Sequence, residues 1–220
     1  MSNSASPVVP TATYSQARRV DMSALPQPAN VQQLHHYAYK AKDAEETRHF
    51  YEDILGLPLY HIIQSDYVPS TGEYCPYTHF FFRLKDGSFI AFFDIGDDEA
   101  ALPSPNTPIW INHISFRVDT VEELENTKAR LQACGVEVLG VTDHHIFKSI
   151  YFFDPNGIRL ELTAQLASAV QMQKESTTAH ARLNEWTARK EQWRKERAEG
   201  KSAAPLKPQS NDRPEFIPTP

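Results

Sequence analysis

Residues 142–161 read TDHHIFKSIYFFDPNGIRLE, and the fold turns on this stretch. Apolar and aromatic residues run through Ile150-Tyr151-Phe152-Phe153 and resume at Ile158, and Asp154-Pro155-Asn156-Gly157 between them has turn composition. Residues 149–153 and 158–163 are therefore the arms of a β-hairpin. Upstream, Asp86-Gly87 separates two further strand-like runs, 78–84 and 88–94, in the same way. Working outward, each hairpin is preceded by the same elements. In the first half these are a strand at 34–39, a helix at 43–55 closed by Gly56, and a strand at 59–63. In the second half they are a strand at 111–116, a helix at Val121–Ala133 followed by Gly135, and a strand at 136–141. The body, 31–164, is thus an α+β duplication of β-α-β-β-β modules, 31–96 and 108–164.

Alternation along a strand tells which residues share a face. Tyr37 and Tyr39 match Ile114 and Phe116, and these pack beneath the helices. His36 and Ala38 match His113 and Ser115 on the opposite face. Aligned from the turns, His79 and Phe81 match Ser149 and Tyr151. The face away from the helices collects His36, His79, His113, Tyr151 and Glu161. A strand histidine by itself is usually structural and a lone glutamate usually a surface charge. Several such groups on one sheet face, where apolar residues are the norm, call for a functional reading.

The paired modules, the FYEDILGL stretch at 50–57 and the strand ends resemble the vicinal oxygen chelate superfamily. That group includes glyoxalase I, methylmalonyl-CoA epimerase, bleomycin- and fosfomycin-resistance proteins and type I extradiol dioxygenases. Its extradiol motif is similar to His144, Ile150-Tyr151, Asp154-Pro155-Asn156-Gly157 and Glu161 taken in order. The resemblance covers the body and neither tail. It implies a curled mixed sheet around a metal-binding cleft, with ligands from the first strand of each module and the last strand of the second. Carried over, these are His36, His113 and Glu161. Two imidazoles and a carboxylate on one face of an ion suit Fe(II), with Mn(II), Co(II) or Zn(II) as alternatives.

The first module differs. Four residues after Gly157 stands Glu161, but four after Gly87 stands Ala91, where glyoxalase-like enzymes carry a second carboxylate. Asp94 has the opposite parity and reads as a strand-end cap. The resemblance makes His144 and Tyr151 the groups that touch substrate and oxygen. Extradiol enzymes commonly have an acid–base histidine where Gly87-Ser88-Phe89 stands. His79 is the substitute, as a base or as a fourth ligand. Phe81, Phe89, Phe93 and Ser149 face the same cleft and are candidate substrate contacts. Three functions fit: an Fe(II)-dependent extradiol-type dioxygenase acting on a catechol or related vicinal oxygen donor with O2, a metal-dependent isomerase or lyase, and a small-molecule-sequestering protein. The first is favoured because Ala91 cannot ligate a metal.

Of the 220 residues, 22 are basic and 28 acidic, and the net charge of −6 argues against nucleic acid as a partner. No run is long and apolar enough to suggest a membrane span. The start lacks the order of a secretory signal, and Cys75 and Cys134 form no metal or redox spacing, so a cytoplasmic setting is expected. Four of the 16 prolines fall in 1–30 and five in 201–220, which reads both ends as disordered tails. Residues 165–200 read as a helical extension with a weak stripe at Leu183, Trp186, Lys190 and Trp193, able to rest on the body or on a second copy in a homodimer.

Overall fold

The computed structural model describes residues 26–101 and 107–201; the two expected tails lie largely outside the described residues. From Leu34 onward these form one unit. The first module consists of β1 (His36–Lys40), α1 (Ala44–Arg48) running into a wider π-helical turn (His49–Ile54), β2 (Leu59–Tyr67), β3 (Tyr74–Arg83) and β4 (Phe89–Asp94). The second consists of β5 (Ile114–Val118), α2 (Val121–Ala133), β6 (Leu139–Asp143), β7 (Phe147–Phe153) and β8 (Arg159–Gln165), and α3 (Ala169–Ala198) follows. Each module builds its own four-stranded mixed sheet, ordered β1-β4-β3-β2 and β5-β8-β7-β6. In both, the first strand lies parallel to the last and the other pairs are antiparallel.

The helix starts follow from local chemistry. Asp43 accepts from the Glu46 backbone N–H and Thr120 from that of Glu123, each satisfying a donor that the first turn leaves unpaired. Asp94 accepts from the backbone N–H of Ala44 and of Gly96, so it serves as the expected cap. The expected helix at 43–55 is α-helical only in its first part. The π turn brings Phe50 and Tyr51 together into the core, with Leu55 N–H donating back five residues to the Phe50 carbonyl.

The modules meet through their helix-side faces. Phe50, Tyr51, Phe80, Phe82, Ile90 and Phe92 share one core with Leu124, Leu131, Ile150, Phe152, Leu160 and Leu162. Each such side chain withdrawn from water stabilises the fold by about 1.5–3 kcal/mol before entropy is subtracted. Asp154, in the β7–β8 turn, is buried. It accepts from the Tyr51 hydroxyl at 3.0 Å, from Asn156 N–H and Nδ2, and from Ile158 N–H. Burial pushes its carboxyl up to about 6 despite those donors. Asn156 Oδ1 in turn accepts from Lys42 N–H at 2.7 Å. The turn that reads as part of a catalytic motif is therefore a polar clasp between the modules.

A capping box of Ser168 and Gln171 opens α3, which buries no residue. Leu183 and Trp186 stay exposed, and Trp186 meets Trp193 edge-on at 5.5 Å. The helix is a solvated one within the single chain. Among the described residues no helix is long and apolar enough to cross a membrane.

Candidate active site

In β5–β8 the cleft face is polar. Glu161 on β8 is buried opposite Tyr151 on β7 and beside Ser115 on β5. Burial works to raise its pKa, but the hydroxyls of Ser149, Tyr151, Ser115 and Thr163 outweigh it and hold the carboxyl below its ordinary value. The group is an anion at neutral pH. Just before β5, His113 donates Nδ1–H to the Ile111 carbonyl at 2.8 Å. Its other nitrogen, Nε2, lies 3.1 Å from Glu161 Oε2. With the neutral imidazole, two lone pairs face each other there, and only a cation between them resolves the repulsion. Adjacent ligands of one octahedral ion at about 2.1 Å stand about 3.0 Å apart, so this donor pair fits a divalent metal as well as a proton. The Ile111 carbonyl fixes the tautomer that presents Nε2, the outer support common to metal-binding histidines.

His144 occupies the tight β6–β7 turn. His145 there has a positive φ of 69°, held by its N–H donating to Asp143, and His144 N–H donates to the Phe147 carbonyl. This aims His144 Nε2 at the Tyr151 hydroxyl, 2.8 Å away. Burial first, and then Glu161, raise the Tyr151 pKa, so the phenol keeps its proton. His113, Glu161, Tyr151 and His144 thus form one connected array. Ser149 is fully buried, shares a hydrogen bond with Thr163 at 3.0 Å and supports the carboxylate rather than lining an open surface.

The cleft face of β1–β4 is aromatic. His79 lies face to face on Phe93, with ring centroids 3.7 Å apart, and Phe81 flanks it at 4.1 Å. His79 donates Nδ1–H to the Phe92 carbonyl, and burial lowers its pKa, which leaves a neutral ring with Nε2 as an acceptor. His36 reaches the edge of this group, 6.0 Å from His79 and 5.6 Å from Phe81, while Phe89 lies 6.0 Å from Phe81. Ala91 is fully buried at the position matching Glu161.

The three expected ligands do not meet in one chain. His113 and Glu161 pair, but His36 belongs to the other sheet. Among the described residues no three His, Cys, Asp or Glu side chains gather as ligands of one ion. The reason is the packing: the modules share their helix-side faces, which leaves the two cleft faces on separate sheets. Three residues of the site have no role in the sequence reading, although Ser115 is placed there on the cleft face. Ser115 and Thr163 steady the carboxylate, and Arg159 lies over the Tyr151 ring at 4.4 Å. Parity with Glu161 was the signal for Arg159 and Thr163.

Paired β-α-β-β-β modules with a histidine–carboxylate donor pair on one cleft face define a class of small-molecule and metal-binding proteins. The chain belongs to the glyoxalase/bleomycin resistance protein/dioxygenase superfamily, whose family model matches residues 33–162. No curated protein matches it. Among solved structures, it is similar to a glyoxylase/bleomycin resistance protein/dioxygenase domain from Frankia, at 17% identity and TM-score 0.51, over 62% of this chain and 99% of that one. An integron cassette protein from the Halifax Harbour sewage outfall shares 27% identity at TM-score 0.44, over 61% and 99% of the two chains. The fosfomycin resistance protein FosX of Listeria monocytogenes, crystallised with Mn(II) and sulfate, shares 22% at TM-score 0.43, over 63% and 95%.

Proposed function

We propose that the protein is a divalent-metal-dependent dioxygenase of the extradiol type, using Fe(II) and O2 on an aromatic substrate with two vicinal oxygens. The observation that carries this reading is the His113–Glu161 donor pair joined to the Tyr151–His144 hydrogen bond. When bound, Fe(II) supplies adjacent open positions for a chelating substrate and for O2. His113 through Nε2 and the Glu161 carboxylate hold the ion. With His144 Nε2–H donating to its oxygen, the Tyr151 hydroxyl, which steadies Glu161 in the free protein, can turn to a substrate oxygen once the carboxylate is on the ion and stabilise charge that develops there.

The third ligand in this reading is His36 of a second copy, in a homodimer whose aromatic cleft face closes over the polar one. The open apolar residues flanking the two faces, Leu34 before β1 and Trp110 and Ile111 before β5, suit such a contact. Phe81, Phe89 and Phe93 then wall the substrate ring, and neutral His79 accepts the proton that a catechol loses on binding.

Anaerobic purification, metal analysis and oxygen uptake with a panel of catechols test the reading. Metal-dependent oxygen consumption with ring cleavage supports it. A bound metal with no oxygen uptake turns the reading to an isomerase or lyase, and a metal-free protein that binds aromatics turns it to sequestration. Mixing His36→Ala with Glu161→Ala chains tests the shared site, since mixed dimers regain one intact site where neither parent has any.

A further inference from the structure

Two residues before Glu161, on the same face of β8, stands Arg159. Its guanidinium lies 4.4 Å from the centroid of the Tyr151 ring, which holds it at the floor of the polar cleft. The side chain is half-buried. No carboxylate of the described residues lies within ion-pair distance of it, and Glu161 is turned to His113 instead. Some other arginines of the body are provided for, while Arg83 on β3 lies, like Arg159, over a ring, that of Tyr60 at 4.8 Å. Arg48 is forked by Glu45, Glu52 and Asp53, and Arg130 donates to the backbone carbonyls of Asp53 and Ile54. No fully buried side-chain nitrogen lacks a partner, so the unused Arg159 donors are reachable from solvent.

A half-buried guanidinium without an anion costs desolvation free energy that an incoming anion returns. Its planar fork of donors matches a carboxylate bidentately. Residues two apart on one strand face are about 7 Å apart, a span that one substituted benzene ring bridges. An anion on Arg159 therefore leaves the far edge of the ring at the His113–Glu161 pair.

We infer that Arg159 is the anion anchor of the cleft and that the substrate is an aromatic carboxylate, its acid group across the ring from the two vicinal oxygens. This rests on the reading of the polar face as the substrate site. Arg159 fixes the ring's orientation and contributes no ligand to the metal. The Tyr151 ring beneath it keeps the fork from swinging into solvent.

Anaerobic calorimetry on the full chain with Mn(II) tests this, using 3,4-dihydroxybenzoate and catechol as probes. The carboxylate probe should bind about 10- to 100-fold more tightly than catechol, the range for hydrogen bonds between charged groups. Arg159→Met should collapse that ratio to near one, while Arg159→Lys, which keeps the charge and loses the fork, should retain part of it. Thermal melts of both variants confirm that each is folded. Failure of 3,4-dihydroxybenzoate to outbind catechol, or a ratio unchanged in Arg159→Met, overturns the assignment. Oxygen uptake separates this from the dioxygenase reading. A collapsing ratio without oxygen uptake leaves the anchor standing and removes the oxygenase. Equal kcat/KM for the two probes in wild type and Arg159→Met does the reverse.

Discussion

The two modules share a backbone plan and oppose each other in chemistry. Phe81 stands opposite Ala91 in the first as Tyr151 stands opposite Glu161 in the second, and His79 opposite Phe93 as Ser149 opposite Thr163. Phe89 occupies the place of Arg159. One cleft face is a stack of rings around a neutral histidine, and the other is a buried carboxylate inside a ring of hydroxyls. The difference teaches where a buried charge can exist. Glu161 is only 5% exposed and remains ionised because four hydroxyl groups stabilise its anion. A carboxylate at 91 would meet Phe81, Phe89 and Phe93 and no hydroxyl donor. The ring-lined face suits contact with an apolar ligand, the hydroxyl-lined face an ion and its oxygen ligands.

Exchanging one polar atom in the second module tests this division most strongly. Tyr151→Phe keeps the ring beneath Arg159 and removes the hydroxyl bonded to His144. In the proposed reaction, turnover should fall about 10²- to 10⁴-fold with metal content retained. Wild-type turnover in the variant would remove the phenol from the chemistry. The matching change in the first module, Phe81→Ala, should act on the fold instead. It should cost about 3–5 kcal/mol in chemical denaturation, as other core Phe truncations do, and leave metal on His113 and Glu161. Loss of metal in this variant would show that the aromatic face, through His36 beside Phe81, holds the ion as strongly as the polar face does.

The clasp between modules sets the pH dependence of stability. Asp154 has a folded pKa of about 6 against 3.8 in an unfolded chain. Between those values the folded protein holds a proton that the unfolded chain has released. Stability from this group is therefore complete below about pH 4, falls as pH rises toward 6 and is level above. The drop is about 3 kcal/mol, at 1.36 kcal/mol per unit. Denaturant melts from pH 4 to 7 should show it in the wild type and a flatter profile in Asp154→Asn. Parallel profiles would assign the titration elsewhere. The smallest effect is that of Tyr51→Phe, which takes one donor from this carboxyl. It should cost about 1.5–3 kcal/mol above pH 6, where the partner is charged, and about half that near pH 5.

What the sequence made legible was local. The Asp-Gly and Asn-Gly turns, the alternation in β7 and β8 and the capped Val121–Ala133 helix needed no tertiary information. β2 and β3 run longer than their patterns because Gln64, Ser65 and Asp66 break the alternation, yet Gln64 and Ser65 pair with Thr78 and Tyr77 across the strands, with the register shifting at Asp66. The π turn was hidden because Phe50, Tyr51, Ile54 and Leu55 fit an α-helix equally well. The reach of Tyr51 to Asp154, a contact across modules, accompanies the altered winding. Asp154 itself read as a turn residue, since its burial depends on the other module. The site divided in the same manner. Glu161 and Tyr151 lie on the adjoining strands β8 and β7, and His144 in the turn that leads into β7, so one stretch of sequence holds all three. His36 is grouped with them by parity and by the family resemblance, and parity orders residues on a sheet but says nothing of how two sheets face. Arg159 has the right parity, yet an arginine at a strand end ordinarily reads as a solvated charge.

The most direct measurement is the metal content of anaerobically purified protein, wild type beside Glu161→Ala. The account predicts about one divalent ion per chain in the wild type and an affinity at least 10²-fold weaker in the variant, beyond the range for losing a residue that only supports a ligand. A wild-type protein that binds no divalent metal when iron or manganese is supplied, or a Glu161→Ala protein that holds it as tightly, would contradict it.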